Sequence, residues 1–143
     1  MGTVTYRTVE DCDQLVVFDE TLRPLLTNPS GSSVEVFDTR GPAGAGPPPH
    51  RHPWEEIYFV LDGEIEVVVG AMTHRVKPGG IIHVPAGVGH GYRNLTEAPF
   101  LTIVTAGGAS AFFSGASKLI AEDPDDLAGL VELARSLGVE DPE

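Results

Sequence analysis

Short apolar runs broken by turn residues set the pattern of the chain. The runs are QLVVF (14–18), SVEVF (33–37), EIYFVL (56–61), EIEVVVG (64–70), HRV (74–76), GIIHVP (80–85), HGYRN (90–94) and FLTIVTA (100–106). They are rich in Val, Ile, Phe and Thr, and seventeen glycines and twelve prolines supply the breaks. Runs of this length at close spacing predict the strands of an antiparallel sandwich or barrel. Asp62-Gly63, between two such runs, predicts a hairpin turn, and Lys77-Pro78-Gly79-Gly80 a second turn. IYFVL does not alternate, so both faces of its strand need cover. One face can line a barrel interior. The other calls for the C-terminal helix or a second subunit, and a homodimer is expected on this ground.

The pattern changes after residue 106. Asp123 is placed to N-cap a helix with Pro124 at its first position. Leu127, Leu130, Val131, Ala134 and Leu137 then recur at helical spacing, and Gly138 can end the helix. This stripe is expected to pack on the outside of the barrel. A shorter helix is expected across Ala109–Leu119. The division is therefore an all-β barrel over residues 1–106 and a helical extension over 107–143.

Charge removes several classes of partner. The net charge is −12, and the nine basic residues are scattered. Binding to phosphate backbones or anionic lipid needs Lys and Arg gathered on one face, so neither nucleic acid nor membrane is an expected partner. No apolar run approaches the roughly 18 residues of a membrane span, and no signal-peptide pattern opens the chain, so a cytoplasmic location is expected. The one cysteine, Cys12, lies beside acidic residues and reads as an inert thiol.

The histidines carry the chemistry. In "PPPHRHPWEEIYF" the prolines favour extended backbone, where side chains two apart share a face. His50, His52 and Glu56 then point one way and Glu55 the other. Two imidazoles and a carboxylate from one segment need a further ligand from elsewhere. His90, opening a later strand in "GGIIHVPAGVGHGYRN", can supply it if that strand lies against the first. Such a mixed N/O set suits Fe, Mn, Co, Ni, Cu or Zn and leaves positions open for substrate.

The spacing reads Gly44-x5-His50-x-His52-x3-Glu56-x6-Gly63, then Gly79-x5-Pro85-x-Gly87-x2-His90-x3-Asn94. Residues 44–63 and 79–94 thus resemble the two motifs of the cupin family. The resemblance implies a cupin β-barrel, also described as a double-stranded β-helix or jelly roll. It implies one divalent transition metal per chain, held by His50, His52, Glu56 and His90. The proline-rich stretch and C-terminal helix are similar to single-domain cupins of the quercetin-dioxygenase-like group. That implies a dioxygenase acting on a small phenolic or enolic substrate, with Glu56 as both ligand and base. Small stand-alone cupins also resemble polyketide cyclases and aromatases, which implies a redox-neutral alternative with a zinc-type metal. A non-catalytic binding cupin is a third reading. Of the remaining histidines, His74 reads as a surface residue. His83, between Ile82 and Val84, is either a hydrogen-bonded core residue or a catalytic acid/base in the cavity. Tyr58, which shares parity with Glu56, is a pocket candidate together with Phe37 and Phe100. Trp54 is left without an assigned side.

Overall fold

The computed structural model describes residues 2, 4–27, 32–105 and 107–142. Ala106, the last position of the expected barrel, lies outside them. Nine strands are present among the described residues: β1 (Leu15–Val17), β2 (Glu20–Leu26), β3 (Val34–Arg40), β4 (Glu56–Val60), β5 (Ile65–Val69), β6 (Met72–Val76), β7 (Ile81–Val84), β8 (Gly91–Asn94) and β9 (Phe100–Thr105). Two helices follow, α1 (Ala109–Glu122) and α2 (Leu127–Ser136). All pairings are antiparallel. One sheet has the order β1-β2-β3-β9-β4-β7 and the other β6-β5-β8.

Alternation places the core. On β4, Glu56, Tyr58 and Val60 are buried while Ile57 and Phe59 are only partly so. Tyr58, Val60, Ile65, Val67, Val76, Val84 and Phe100 form one apolar cluster between the sheets. Each such side chain contributes about 1.5–3 kcal/mol when fully removed from water. A second cluster, with Leu22, Phe37, Trp54, Val104 and Ala109 at its centre, joins the barrel to the helices.

Three expectations are corrected here. The Asp62-Gly63 turn is present, with Gly63 at φ 73. It does not make a hairpin, because β4 pairs with β7 and β9, while β5 pairs with β6 and β8. The turn instead carries the chain from one sheet to the other. The second helix begins later than its cap signal: Asp126, not Asp123, accepts the Gly129 amide at 2.9 Å. Asp123 closes α1 instead. The stripe on α2 does not cover the outer face of the barrel; Leu127, Leu130, Val131 and Ala134 line its cavity. The outer faces of β4 and β7 therefore keep Ile57, Phe59 and the largely exposed Ile81 outside the two core clusters.

Helix α1 is fastened from the barrel. Its N-cap, Gly108, has no capping side chain, and the buried Glu35 of β3 accepts the Ser110 amide at 3.1 Å. A carboxylate at that end also opposes the positive end of the helix dipole. Strand β2 had no counterpart among the apolar runs. Pro24 and the flanking polar residues break its alternation, and its register on β3 slips between Pro24 and Leu26.

Candidate metal centre

The site begins with one backbone pairing. His50 and His90 exchange both hydrogen bonds of an isolated antiparallel bridge, each at 2.8 Å. The Pro47–Pro49 run holds the first segment extended, and His52 follows two residues on, its carbonyl accepting the Gly87 amide at 2.9 Å. Glu56 opens β4 on the same inward face. The ligand atoms of His50, His52, Glu56 and His90 all lie within 4.8 Å of one another. Glu55 points outward, as its parity requires.

Each imidazole is aimed by its own backbone. Nδ1 faces a carbonyl oxygen two residues away in all three rings: Pro48 for His50 at 2.8 Å, Trp54 for His52 at 3.0 Å, and Val88 for His90 at 2.9 Å. A carbonyl only accepts, so each Nδ1 carries the proton and each Nε2 offers a lone pair. His52 Nε2 lies 2.7 Å and His90 Nε2 3.4 Å from Glu56 Oε2. A lone pair facing a carboxylate calls for a cation between them, either a proton or a metal ion. The donor set therefore fits a divalent transition metal, and its three imidazoles and one carboxylate match the mixed N/O chemistry of first-row ions.

Where no metal lies between them, protons on Nε2 take the cation's place. Burial alone would push Glu56 upward, but the hydrogen bonds and charge of His52 and His90 hold its carboxyl far below the usual range. Burial lowers His50. Burial also opposes the charged form of His90, yet its contact with Glu56 raises it.

A cavity of about 560 Å³ opens onto the cluster. Its walls come from both ends of the chain: Val17, Phe18, Glu20 and Leu22 near the start, and Phe112, Phe113, Leu130, Ala134 and Val139 near the end. Trp54 stacks on His52 with ring centres 4.4 Å apart and planes 9° from parallel. Tyr58 lines the cavity at 0% exposure, and its hydroxyl has no hydrogen-bond partner. Burial, with the nearby carboxylates, pushes the Tyr58 and Tyr92 hydroxyls well above the usual phenol range.

Other site expectations move. His83 is neither in the core nor in the cavity. It projects from the outer face of β7, half exposed, and its Nε2 meets Glu55 at 2.8 Å. Its register opposite Ile57 puts it on the outward side of the sheet. Phe37 and Phe100 face inward but stand behind the wall. Phe113 lies edge-on to Phe37 at 5.0 Å, and Tyr92 and Tyr58 stand against Phe100 at 5.3 and 5.9 Å. His74 is exposed on β6, as expected. The sequence had not marked Glu20, Tyr92, Phe112 or Phe113. Tyr92 shares parity with His90, which was a usable signal; Glu20 had none.

Residues 38–105 match the family profile described as the cupin domain. They are a cupin domain. The chain carries a single one, flanked by the β1–β2 strands and the two helices. Over 76 residues, 52% of the chain, it is 42% identical to dimethylsulfoniopropionate lyase DddQ of Ruegeria pomeroyi. The chain spans only 37% of the length of that lyase. The polyketide cyclase RemF of Streptomyces resistomycificus has a similar structure, with TM-score 0.62 and 24% identity over 72% of this chain and 80% of that one. An RmlC-like cupin of Shewanella frigidimarina superposes with TM-score 0.66 and 16% identity over 76% and 96%. The two solved structures establish the shared barrel. Among the described residues, no helix is long and apolar enough to cross a membrane.

Proposed function

We propose that this protein is a metal-dependent cupin enzyme that moves protons on a small, largely apolar substrate without net oxidation, in a lyase- or cyclase-type reaction. One observation carries the reading. Three Nε2 lone pairs and a carboxylate converge at one wall of an aromatic-lined cavity large enough for a small molecule. The 42% identity over 76 residues to a dimethylsulfoniopropionate lyase supports the redox-neutral class.

Bound by His50, His52, Glu56 and His90, a divalent ion would supply Lewis acidity, which polarises a carbonyl or carboxylate oxygen and acidifies the adjoining C–H. The chain's own groups do the rest. The three Nδ1–H bonds to backbone carbonyls keep the imidazoles from turning. The unpartnered Tyr58 hydroxyl donates a hydrogen bond to a substrate oxygen. Phe112 and Phe113 of α1 and Leu130 and Ala134 of α2 give the cavity an apolar wall. With His83 on the outer face, no histidine outside the ligand set is available there as an acid/base.

A dioxygenase of the quercetin-dioxygenase-like group would use the same four ligands, so the test must separate the two. Elemental analysis of protein purified without added metal should give about one transition-metal ion per chain. Turnover under strict anaerobiosis should equal turnover in air. Loss of turnover without oxygen would move the dioxygenase to first place. An absence of metal, with none taken up on reconstitution, would leave a binding module.

A further inference from the structure

The cavity holds a second carboxyl that the metal site does not use. Glu20 opens β2, lines the cavity and is 7% exposed. One of its oxygens accepts the Tyr92 hydroxyl and the other accepts Asn94 Nδ2 at 2.9 Å. Both partners are neutral. No lysine or arginine lines the cavity among the described residues. A buried carboxylate without a counter-charge is costly, and it is relieved either by taking up a proton or by a cation placed beside it. Burial accordingly raises the Glu20 carboxyl, against the two bonds that would lower it.

The surrounding surface completes the case. Phe18, Trp54, Tyr58, Tyr92, Phe112 and Phe113 line the same cavity. Phe18 sits at φ 54, a conformation that is strained for an aromatic residue, and it lines the cavity while largely exposed. Aromatic faces carry negative potential and attract cations, most strongly where water is excluded. Glu56 is neutralised by whatever cation its histidines hold, which leaves two carboxyls on the cavity wall, the exposed Asp19 and the buried Glu20, and Glu20 is the one shielded from water. Away from the four convergent side chains, the walls carry no cationic side chain for a phosphate or sulfate.

From these residues we infer that the cavity selects substrates bearing a positively charged group, an ammonium or other onium centre, and that Glu20 with its aromatic neighbours is the subsite that holds it. This rests on the reading of the cavity as the substrate site, and it names the class of molecule that enters. Glu20 acts as a specificity-determining residue, and the end of the substrate that reacts lies toward the four metal ligands.

The test is a pair of probes matched in shape. Choline and 3,3-dimethylbutan-1-ol differ in one atom, a charged nitrogen against a neutral carbon. Trp54 is the chain's only tryptophan and lines the cavity, so its fluorescence reports occupancy. In metal-loaded wild type, choline should bind about tenfold or more tighter than the alcohol. Glu20→Gln should abolish that preference while leaving affinity for the alcohol unchanged. Equal binding of the two probes, no binding of choline, or a preference that survives Glu20→Gln would each overturn the proposal. If the variant does not fold, the wild-type comparison decides alone. Repeating it on metal-free protein separates this inference from the enzymatic one. The charge preference does not need the metal, and a failed preference leaves the metal content and turnover results standing.

Discussion

A buried carboxyl with only neutral partners makes stability depend on pH in a set direction. The folded state raises the Glu20 pKa above its unfolded value, so between the two values the folded chain keeps a proton that the unfolded chain has lost. Stability from this group is present at low pH and falls as pH rises through the folded pKa. Thermal melts of metal-free protein should show Glu20→Gln gaining on wild type as pH climbs from about 4 toward neutrality. A difference that is flat with pH would mean the carboxyl is not perturbed by folding. At the metal centre, His52→Ala should keep the fold and lose most of the bound metal in elemental analysis, since one of the three imidazoles is gone; metal retained as in wild type would mean the ligand assignment is wrong. The convergence of His50, His52, Glu56 and His90 was legible because period-two alternation and two motif spacings each constrain them, and the His50–His90 bridge brings the two segments together. Glu20 was not legible. It lies far from both motifs, on a strand whose alternation Pro24 obscures, and only the closed barrel brings it to Tyr92 and Asn94.

Local turn and cap chemistry acts at the scale of the elements. Asp126→Ala removes the oxygen that accepts the Gly129 amide and should cost about 1 kcal/mol in chemical denaturation. Asp123→Ala should cost less, since Asp123 caps no helix N-terminus with its side chain; its Oδ1 accepts only the Asp125 amide, at 3.0 Å. The reverse ranking would restore the cap expected at Asp123. Asp-Pro was a fair signal three residues early, and the chain spent it on the turn between α1 and α2. The same lesson holds at Asp62-Gly63. A turn dipeptide specifies a reversal of the backbone but not which strand becomes the partner. A Cβ on Gly63 would also meet Thr96 Oγ1 at 2.1 Å, so Gly63→Ala should destabilise by about 1–3 kcal/mol.

At the scale of the whole molecule, the doubly apolar β4 still lacks cover on one side. Leu101 and Ile103 of β9 stand opposite Phe59 and Ile57, and Ile81 stands opposite Phe59 on the other flank, forming one apolar field on the outer sheet. A second copy packed on this field about a two-fold axis is the expected arrangement. Light scattering should then report about twice the 15.2 kDa of one chain, and Ile57→Lys should halve that mass. A wild-type particle at the mass of one chain would mean the field stays bare. The helices were legible as amphipathic, but a stripe of leucines does not say which apolar surface it will cover. They line the cavity, and that gives the cavity two origins. The ligands come from residues 50–90 in the middle of the chain, and much of the wall comes from 17–22 and 112–139. Much of the cavity wall is thus written outside the stretch that carries the four convergent side chains, although Trp54, Tyr58 and Tyr92 lie within it. Substitutions accumulating at the two ends can reshape the wall while the cluster of three histidines and Glu56 is inherited unchanged.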